Sequence, residues 1–344
     1  MKAEKLSIVL LLILIIIAAI FFMNTIQAPQ KTFFWKALFN AGHVPLFGVI
    51  SLAVLGLSIK LLSPYIRRRS IHYLISLLVT AGIGLITEII QYYSPRDADF
   101  VDIIRDVIGA IVFLLFYMTF DKQLPALSDK NRRKFRVIIR TLAVIICLAA
   151  FIPAGIWAKS YHSRQMQFPL ICGFDSCWET MFVEGEDAQL QRTAAPPKWD
   201  KSPDDKVACL IFDKADFPGI AINEPYPDWT GYSAFSFEIF SPYGSSLKLS
   251  LRINDTHHDY TFYDRFNTQL KIDPGGCEYL IPVESILYGS KTRDMDMTSI
   301  AMIKIFAHKP DTSFTLYFDN FKLIRDDIPE YMYHHKNRKI ELLP

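Results

Sequence analysis

Residues 71–120 read IHYLISLLVTAGIGLITEIIQYYSPRDADFVDIIRDVIGAIVFLLFYMTF, and this stretch decides the fold of the first half of the chain. Its two apolar runs, 71–91 and 102–120, flank a short polar loop. Each run is close to the roughly 20 helical residues that cross a bilayer. Three more runs of this kind occupy residues 6–23, 43–62 and 137–157. The sequence therefore predicts an α-helical, multi-pass membrane domain with five spans.

The distribution of charge predicts how these spans are oriented. The net charge of +2 for 344 residues averages two unlike halves, because residues 1–160 hold 18 Lys+Arg and 8 Asp+Glu, and residues 161–344 hold 19 and 27. With a cytoplasmic N-terminus, thirteen basic residues of the first half lie in cytoplasmic segments and three in the short outer loops, as the positive-inside rule requires. We therefore expect a bacterial cytoplasmic (inner) membrane protein with lipid as a partner and an extracytoplasmic C-terminal domain. A nucleic-acid partner is not needed to explain the basic charge.

Composition also predicts the domain boundaries. Residues 1–26 form an N-terminal transmembrane anchor, because Lys2 and Lys5 precede a long apolar core that no convincing cleavage site follows. Residues 27–160 hold the remaining four spans. Beyond them we expect a β-sandwich at 168–326 and a C-terminal tail at 327–344.

Polar residues near the outer ends of three predicted spans form a candidate site. An ionisable group at bilayer depth costs about 3 kcal/mol or more unless it is paired or hydrated. Helical spacing places Glu88 with Gln91, and Asp102 with Asp106, on common faces. Two interpretations stay open: helix capping with charge neutralisation, or a pocket for a polar headgroup or proton transfer. The candidate residues are His43, Glu88, Gln91, Arg96, Asp102, Arg105 and Asp106.

The ordered spacing of these residues resembles the VanZ-like membrane family over about residues 30–120. That family combines a histidine, Glu-x-x-Gln, a loop arginine and Asp-x-x-x-Asn/Asp-x-x-Gly. The matching positions are His43, Glu88, Gln91, Arg96, Asp102, Asp106 and Gly109, with Asp106 where asparagine is common. The family is named for a glycopeptide (teicoplanin) resistance factor, so the resemblance implies a link to such resistance. It implies no mechanism, because the activity of the family is not settled.

The second half of the chain alternates apolar and polar residues with the period of a β-strand. The alternation is clearest at 235–239 and 247–253, and turn formers separate the segments. One apolar face per strand is typical of an antiparallel sandwich. Further strands are predicted at 208–213, 260–266, 269–272, 278–283, 300–307 and 314–324.

Residues 170–326 also resemble the galactose-binding-like jelly roll of carbohydrate-binding modules. The residues that carry this resemblance are Trp229-Thr-Gly-Tyr232, Arg252-Ile-Asn-Asp255, Tyr263-Asp-Arg265-Phe-Asn267 and Tyr317-Phe-Asp319-Asn-Phe321. Related jelly rolls often bind a structural calcium ion, which would implicate Asp175 and Asp319, with Glu179 nearby. The resemblance therefore implies calcium as a cofactor and a glycan as a ligand.

Strand alternation selects a polar face that suits a sugar, since arginine donates paired hydrogen bonds and tyrosine offers a ring for stacking. An ordinary hydrated face and a protein-contact face are the alternatives. The predicted sugar-binding residues are Glu238, Arg252, Asn254, Tyr263, Arg265, Asn267 and Lys304.

Four cysteines lie in the half predicted to be outside the membrane, where disulfides persist. Three pairings are open. We favour Cys172–Cys177 with Cys209–Cys277, because a short loop closes at low entropic cost.

Three functional hypotheses follow. The first is a cell-envelope membrane protein whose outer β domain binds a glycan or glycolipid. The second is a membrane enzyme that uses Glu88, Asp106 and His43 as acid and base on an envelope lipid or glycan. The third is a scaffold for another envelope protein, and the sequence leaves the oligomeric state open.

Overall fold

A computed structural model describes residues 2–25, 28–29, 31–93, 100–123, 129–202, 204–325 and 340–341. The chain forms two compact units, Met1–Ala158 and Lys159–Pro344. We call them the helical unit and the β unit.

The helical unit consists of α-helices, most of them long and rich in apolar residues, and the last helix continues into the β unit. Thr32 caps the second helix by accepting a hydrogen bond from the Trp35 amide. A break at residues 150–151 separates the last two helices, and Pro153 follows in the first turn of the next helix, where proline is tolerated. The helices are α1 (Lys2–Thr25), α2 (Phe33–Leu62), α3 (Arg69–Tyr92), α4 (Phe100–Met118), α5 (Asp129–Ala149) and α6 (Ile152–Gln167).

Three segments of the described chain are long and apolar enough to cross a membrane: Phe33–Leu62, Arg69–Gln91 and Arg133–Gln167. The five-span prediction is therefore supported for three spans only. The apolar stretch of α1, Leu6–Phe22, is shorter. Helix α4 has 19 residues and is strongly apolar apart from three ionisable side chains in its first two turns, so any stretch of it long enough to cross a membrane contains all three.

The surface of the helical unit is apolar, whereas several of its buried positions are small or polar. Leu78, Ile138 and Leu148 are exposed, while Ser76 and Thr80 are buried. Such a distribution suits a hydrocarbon solvent, in which backbone groups bond within helices and small polar residues lie between them.

Glycines bring α2 and α4 into close contact. A Cβ atom at Gly109 would lie 2.2 Å from the carbonyl oxygen of Val44, and a Cβ at Gly48 would lie 2.3 Å from the Phe113 ring. Small residues allow this backbone approach in membrane helices. This packing fixes how His43 on α2 lies relative to Asp102 and Asp106 on α4.

The β unit is an antiparallel sandwich, as predicted. Sheet I has the order β3-β4-β11-β6-β9 with β1 on β11, and sheet II has the order β12-β8-β7-β10-β5-β2. The strands are β1 (Leu170–Cys172), β2 (Val183–Glu186), β3 (Ala188–Ala194), β4 (Lys206–Phe212), β5 (Gly219–Asn223), β6 (Ala234–Ser241), β7 (Leu247–Asp255), β8 (Phe266–Ile272), β9 (Gly275–Pro282), β10 (Ile300–Phe306), β11 (Phe314–Ile324) and β12 (Ile340–Glu341). A short helix, α7 (Val283–Leu287), follows β9.

The two sheets enclose one apolar core. Leu210 and Phe318 from sheet I share it with Leu251 and Ile303 from sheet II, and all four are fully or almost fully buried. Their burial leaves the alternate residues of each strand on the outer faces.

The predicted strand at 260–266 is wrong. Residues 256–265 form a loop, and β8 begins only at Phe266. Tyr260 has a φ of 69°, and the Asp259 carboxylate accepts a hydrogen bond from the Thr261 amide, which makes a local turn in place of a sheet ladder. Strand alternation, with Tyr263 on the polar face, would place Phe262 on the core side, but its side chain is 56% exposed.

The predicted disulfides are also wrong, because all five cysteines are free. Strands β11 and β6 separate Cys209 on β4 from Cys277 on β9. Three strand spacings amount to about 14 Å, twice the Cα separation of roughly 7 Å that a disulfide can span. Cys172 is buried in the core, whereas Cys177 is exposed.

Candidate functional site

In the helical unit, His43 lies between two carboxylates of α4. Its Nδ1 is 2.8 Å from Asp106 Oδ1, and its Nε2 is 3.9 Å from Asp102 Oδ2. Asp102 forms an ion pair with Arg105 one turn along the helix. The sequence therefore placed these four side chains in one cluster, and the structure brings them together.

His43 lies deeper in its helix than the predicted span start at residue 43. Helix α2 begins at Phe33, so ten residues, or about 15 Å of helix, precede the histidine. Its ring stacks on that of Phe47 at 6.1 Å between centroids. Because α2 is longer than the apolar run, the histidine is inside the helix and is not at its end.

Asp106 is fully buried and is the most enclosed member of the cluster. Within the described chain its Oδ2 has no hydrogen-bond partner. A Cβ at Gly84 would lie 2.8 Å from this oxygen, so the glycine of α3 leaves space for the carboxylate. No local pattern in the sequence pointed to Gly84.

Glu88 and Gln91 are buried near the end of α3. Glu88 lies within electrostatic range of His43. Arg96, the predicted loop member, lies outside the described residues. The described cluster thus combines three carboxylates, Glu88, Asp102 and Asp106, with a histidine and one guanidinium.

In the β unit, five predicted sugar-binding residues share the outer face of sheet II. Lys304 on β10 is opposite Arg252 on β7, and Arg252 is opposite Asn267 on β8. Asn254 follows Arg252 on the same face, and Arg265 immediately precedes β8. We call this surface the sheet II face.

Hydrogen bonds order the side chains of the sheet II face. Arg252 Nε donates to Asn254 Oδ1 at 3.2 Å, and Arg265 Nε donates to Asn267 Oδ1 at 3.1 Å. Lys304 pairs with Glu186 of β2, a residue that sequence reasoning missed because β2 is short and polar.

Exposed aromatic rings adjoin this face at the loop before β8. Tyr263 and Phe262 are each 56% exposed and contact edge to face at 5.5 Å. The Arg265 guanidinium lies 5.4 Å from the centre of the Phe262 ring. Tyr263 therefore lies beside the face, although on a loop and not on the predicted strand.

Glu238 does not belong to the sheet II face. It lies on β6 in sheet I, where Lys201 Nζ is 2.8 Å from Glu238 Oε2 and also pairs with Asp319. Glu238 and Trp199 line a separate cavity of about 360 Å³. Alternation showed that Glu238 points outward but gave no information about which sheet holds it.

The residues implied as calcium ligands have other partners. Asp319 pairs with Lys201, Asp175 is exposed and accepts a hydrogen bond from the Lys206 amide at 3.0 Å, and Glu179 accepts one from the Gly173 amide at 2.6 Å. Burial raises the pKa of Asp319 to about 6, even though Lys201 lowers it. This arrangement does not fit a calcium ion, and the calcium cofactor stays a prediction.

An ion-pair cluster that the sequence did not reveal supports the loop before β8. The Arg293 guanidinium binds both oxygens of Asp255, at 2.6 and 2.7 Å, and Asp264 Oδ1 at 2.7 Å. Ligand atoms of His258, Asp259 and Asp264 also lie within 4.8 Å of one another. A cation there would compete with Arg293 for Asp264, so we regard the group as structural.

No family model matches the chain, and no curated protein matches it. The proposed VanZ-like membership therefore has no support beyond the motif itself, and neither has the link to glycopeptide resistance.

Several solved structures resemble part of the chain. An exo-β-agarase is 16% identical, with 47% of this chain and 26% of the agarase covered and a TM-score of 0.38. A family 11 carbohydrate-binding module from Clostridium thermocellum, solved with a β-1,3-1,4-mixed-linked tetrasaccharide, is 18% identical. The match covers 42% of this chain and 89% of the module, with a TM-score of 0.33. The chain thus spans about a quarter of the agarase. Similarity at this level does not identify a ligand for this chain.

Proposed function

We propose that the chain is a membrane-anchored glycan-binding protein of the cell envelope, and that the sheet II face holds the glycan. The observation that carries this proposal is the row of ordered polar side chains, Asn267, Arg252 and Lys304, beside the exposed rings of Phe262 and Tyr263. Oriented donors with adjacent aromatic rings are what sugar hydroxyls and sugar faces require.

The proposal includes a topology. The helical unit spans the membrane five times with a cytoplasmic N-terminus, and the β unit lies outside. Its support is the concentration of lysine and arginine in the loops assigned to the cytoplasm.

Tyr263→Ala should weaken glycan binding about fivefold, because an aromatic ring on a sugar contributes roughly 1 kcal/mol. The measurement is binding of fluorescent polysaccharides, added from outside, to spheroplasts that carry the full chain. The panel includes a neutral mixed-linkage glucan, polygalacturonate and poly(glycerol phosphate).

Tyr65→Ala is the matched control, since Tyr65 is 85% exposed but belongs to the helical unit; it should leave binding unchanged. Binding by detergent-purified protein but not by spheroplasts would contradict the topology alone. Failure of every polymer to bind the purified protein would contradict the proposed function.

A second candidate function belongs to the helical unit. The buried Asp106 oxygen without a hydrogen-bond partner in the described chain, next to His43, favours a site that binds a polar headgroup or transfers a proton. Within the described chain Asp106 Oδ2 receives no hydrogen bond, so an amine headgroup, which supplies N–H donors, suits this oxygen better than an anionic headgroup.

Asp106→Asn should weaken the interaction with an amine headgroup about tenfold, because the carboxylate charge is lost while the shape is kept. The measurement is the thermal shift of the full chain in micelles titrated with phosphatidylethanolamine. Asp121→Asn, which alters a carboxylate paired with Arg69, is the control and should keep the shift. Equal titrations for wild type and Asp106→Asn would argue for a purely structural cluster.

A further inference from the structure

Two arginines of the sheet II face lie close together, and neither forms an ion pair with a carboxylate of the described residues. Arg252 and Asn267 are direct neighbours across β7 and β8, and Arg265 precedes Asn267 by two residues on the same face. Diagonal neighbours of this kind have Cα atoms about 7–8 Å apart, within reach for long side chains. The two guanidinium groups therefore share one region of the face.

The inner nitrogen of each guanidinium is already bonded. Asn254 and Asn267 accept from the two Nε atoms, and Asn267 is itself held by a hydrogen bond from its Nδ2 to the Phe262 carbonyl at 3.0 Å. No hydrogen bond or ion pair involves the terminal nitrogens of Arg252 or Arg265 within the described chain. Both arginines are thus oriented, and their paired terminal donors are available to a ligand.

Other arginines of the β unit have different surroundings. Arg293 is neutralised by Asp255 and Asp264, and Arg192 donates to the backbone carbonyl oxygens of Phe174 and Asp175. The sheet II face also carries two carboxylates of β2: Glu186 pairs with Lys304, and Glu184 accepts a hydrogen bond from Asn223. Neither forms an ion pair with Arg252 or Arg265, so these arginines have no directly bound counter-ion among the described residues.

Electrostatics supports the same interpretation. Partial burial, together with the charge of Arg252, lowers the pKa of Arg265 to about 10. Burial also lowers the pKa of Arg252, although the charge of Glu186 acts in the opposite direction. Both guanidinium groups stay charged at neutral pH, so they repel each other in a partly dehydrated place. A bound anion would remove this repulsion.

We infer that Arg252 and Arg265 together bind an anionic group on the glycan, so that the ligand is an acidic polysaccharide or glycolipid. This inference rests on the proposed function and adds the class of ligand to it. Uronic acid carboxylates and phosphodiesters can both be bound in this way, since each presents a pair of anionic oxygens to the planar donors of a guanidinium.

The test measures the binding of three polymers to the full-length protein in detergent micelles by calorimetry. Polygalacturonate supplies carboxylates, poly(glycerol phosphate) supplies phosphodiesters, and the mixed-linkage glucan is neutral. Wild type should bind at least one acidic polymer about tenfold or more tightly than the glucan, and added salt should reduce this preference. Which acidic polymer binds better identifies the source of the anion.

Arg252→Gln and Arg265→Gln should each reduce binding of the acidic polymer about tenfold, and binding of the neutral glucan by less than about threefold, because glutamine keeps a hydrogen-bond donor and loses the charge. The affinity of Arg252→Lys for the acidic polymer should lie between those of Arg252→Gln and wild type, because lysine keeps the charge and loses the planar pair of donors. Lys248→Gln removes a positive charge from the same outer face of β7 and should change binding less than twofold. Unchanged melting temperatures show that the variants are folded.

Two failures are distinguishable. Equal binding of glucan and acidic polymers, unaffected by either glutamine variant, overturns the inference and leaves glycan binding intact. Absence of binding to all three polymers overturns the proposed function and the inference with it.

Discussion

Replacing Arg293 with alanine should destabilise the β unit by about 3 kcal/mol, because it breaks a buried ion pair. This value is the lower end of the range for such pairs, since 30% of the Arg293 side chain is exposed. The substitution leaves the carboxylates of Asp255 and Asp264 buried without their counter-ion. Backbone amides still donate to them, from His257 and Asp296 to Asp255 and from Asp259 to Asp264. These bonds do not replace the guanidinium charge.

The stability lost in Arg293→Ala should depend on pH. Burial alone would raise the pKa of Asp264, yet hydrogen bonds from Arg293, the Asp259 amide and Thr292 hold it at about 2. A carboxyl with a depressed pKa stabilises the fold above its unfolded pKa of about 4, and this contribution disappears as pH falls through about 2. Without Arg293 the pKa of Asp264 rises. The difference between wild type and variant should therefore be largest at neutral pH and shrink below about pH 4.

Urea unfolding of the full chain in micelles, followed by tryptophan fluorescence and pulse proteolysis, measures this difference. Lys309→Ala is the control, because its ion pair with Asp216 is largely exposed and should contribute less than about 0.5 kcal/mol. If Arg293→Ala and Lys309→Ala unfolded at the same urea concentration, the ion-pair cluster would have no stabilising role.

Much of the fold can be predicted from local sequence patterns, because a strand or helix that buries one face repeats apolar residues at a regular spacing. Strands β6, β7 and β11 alternate apolar and polar residues because each lies between the core and an outer face. The polar cluster of the helical unit was predictable for a similar reason, since buried ionisable residues stand out in an apolar run. Neither argument needs contacts between distant residues.

The errors arise where distant residues determine the structure. The segment 260–266 is rich in aromatic residues, as strands are, but Arg293, 38 residues from Asp255, stabilises a loop there. The strand order separates Cys209 from Cys277, and no local pattern reveals that order. Strand β3 was missed because its residues are mostly polar and lie at the edge of sheet I.

Gly109→Ala should destabilise the helical unit by about 3 kcal/mol or more, the upper range for an overpacked core. The added Cβ would lie 2.2 Å from the Val44 carbonyl oxygen, and backbone atoms have no rotamer that could move aside. Helices α2 and α4 must then separate, which pulls His43 away from Asp106. The polar cluster should lose its geometry together with the fold.

Gly82→Ala provides the matched control, because nothing lies within 4 Å of a Cβ at that position. Since alanine favours a helix more than glycine does, this variant should be neutral or up to about 1 kcal/mol more stable. The measurement is the fraction of each protein that stays monodisperse in detergent during heating. Equal thermal stability of Gly109→Ala and Gly82→Ala would show that α2 and α4 do not pack through Gly109. The position of His43 between Asp102 and Asp106 would then need another explanation, because that contact between the helices is what holds the histidine beside α4.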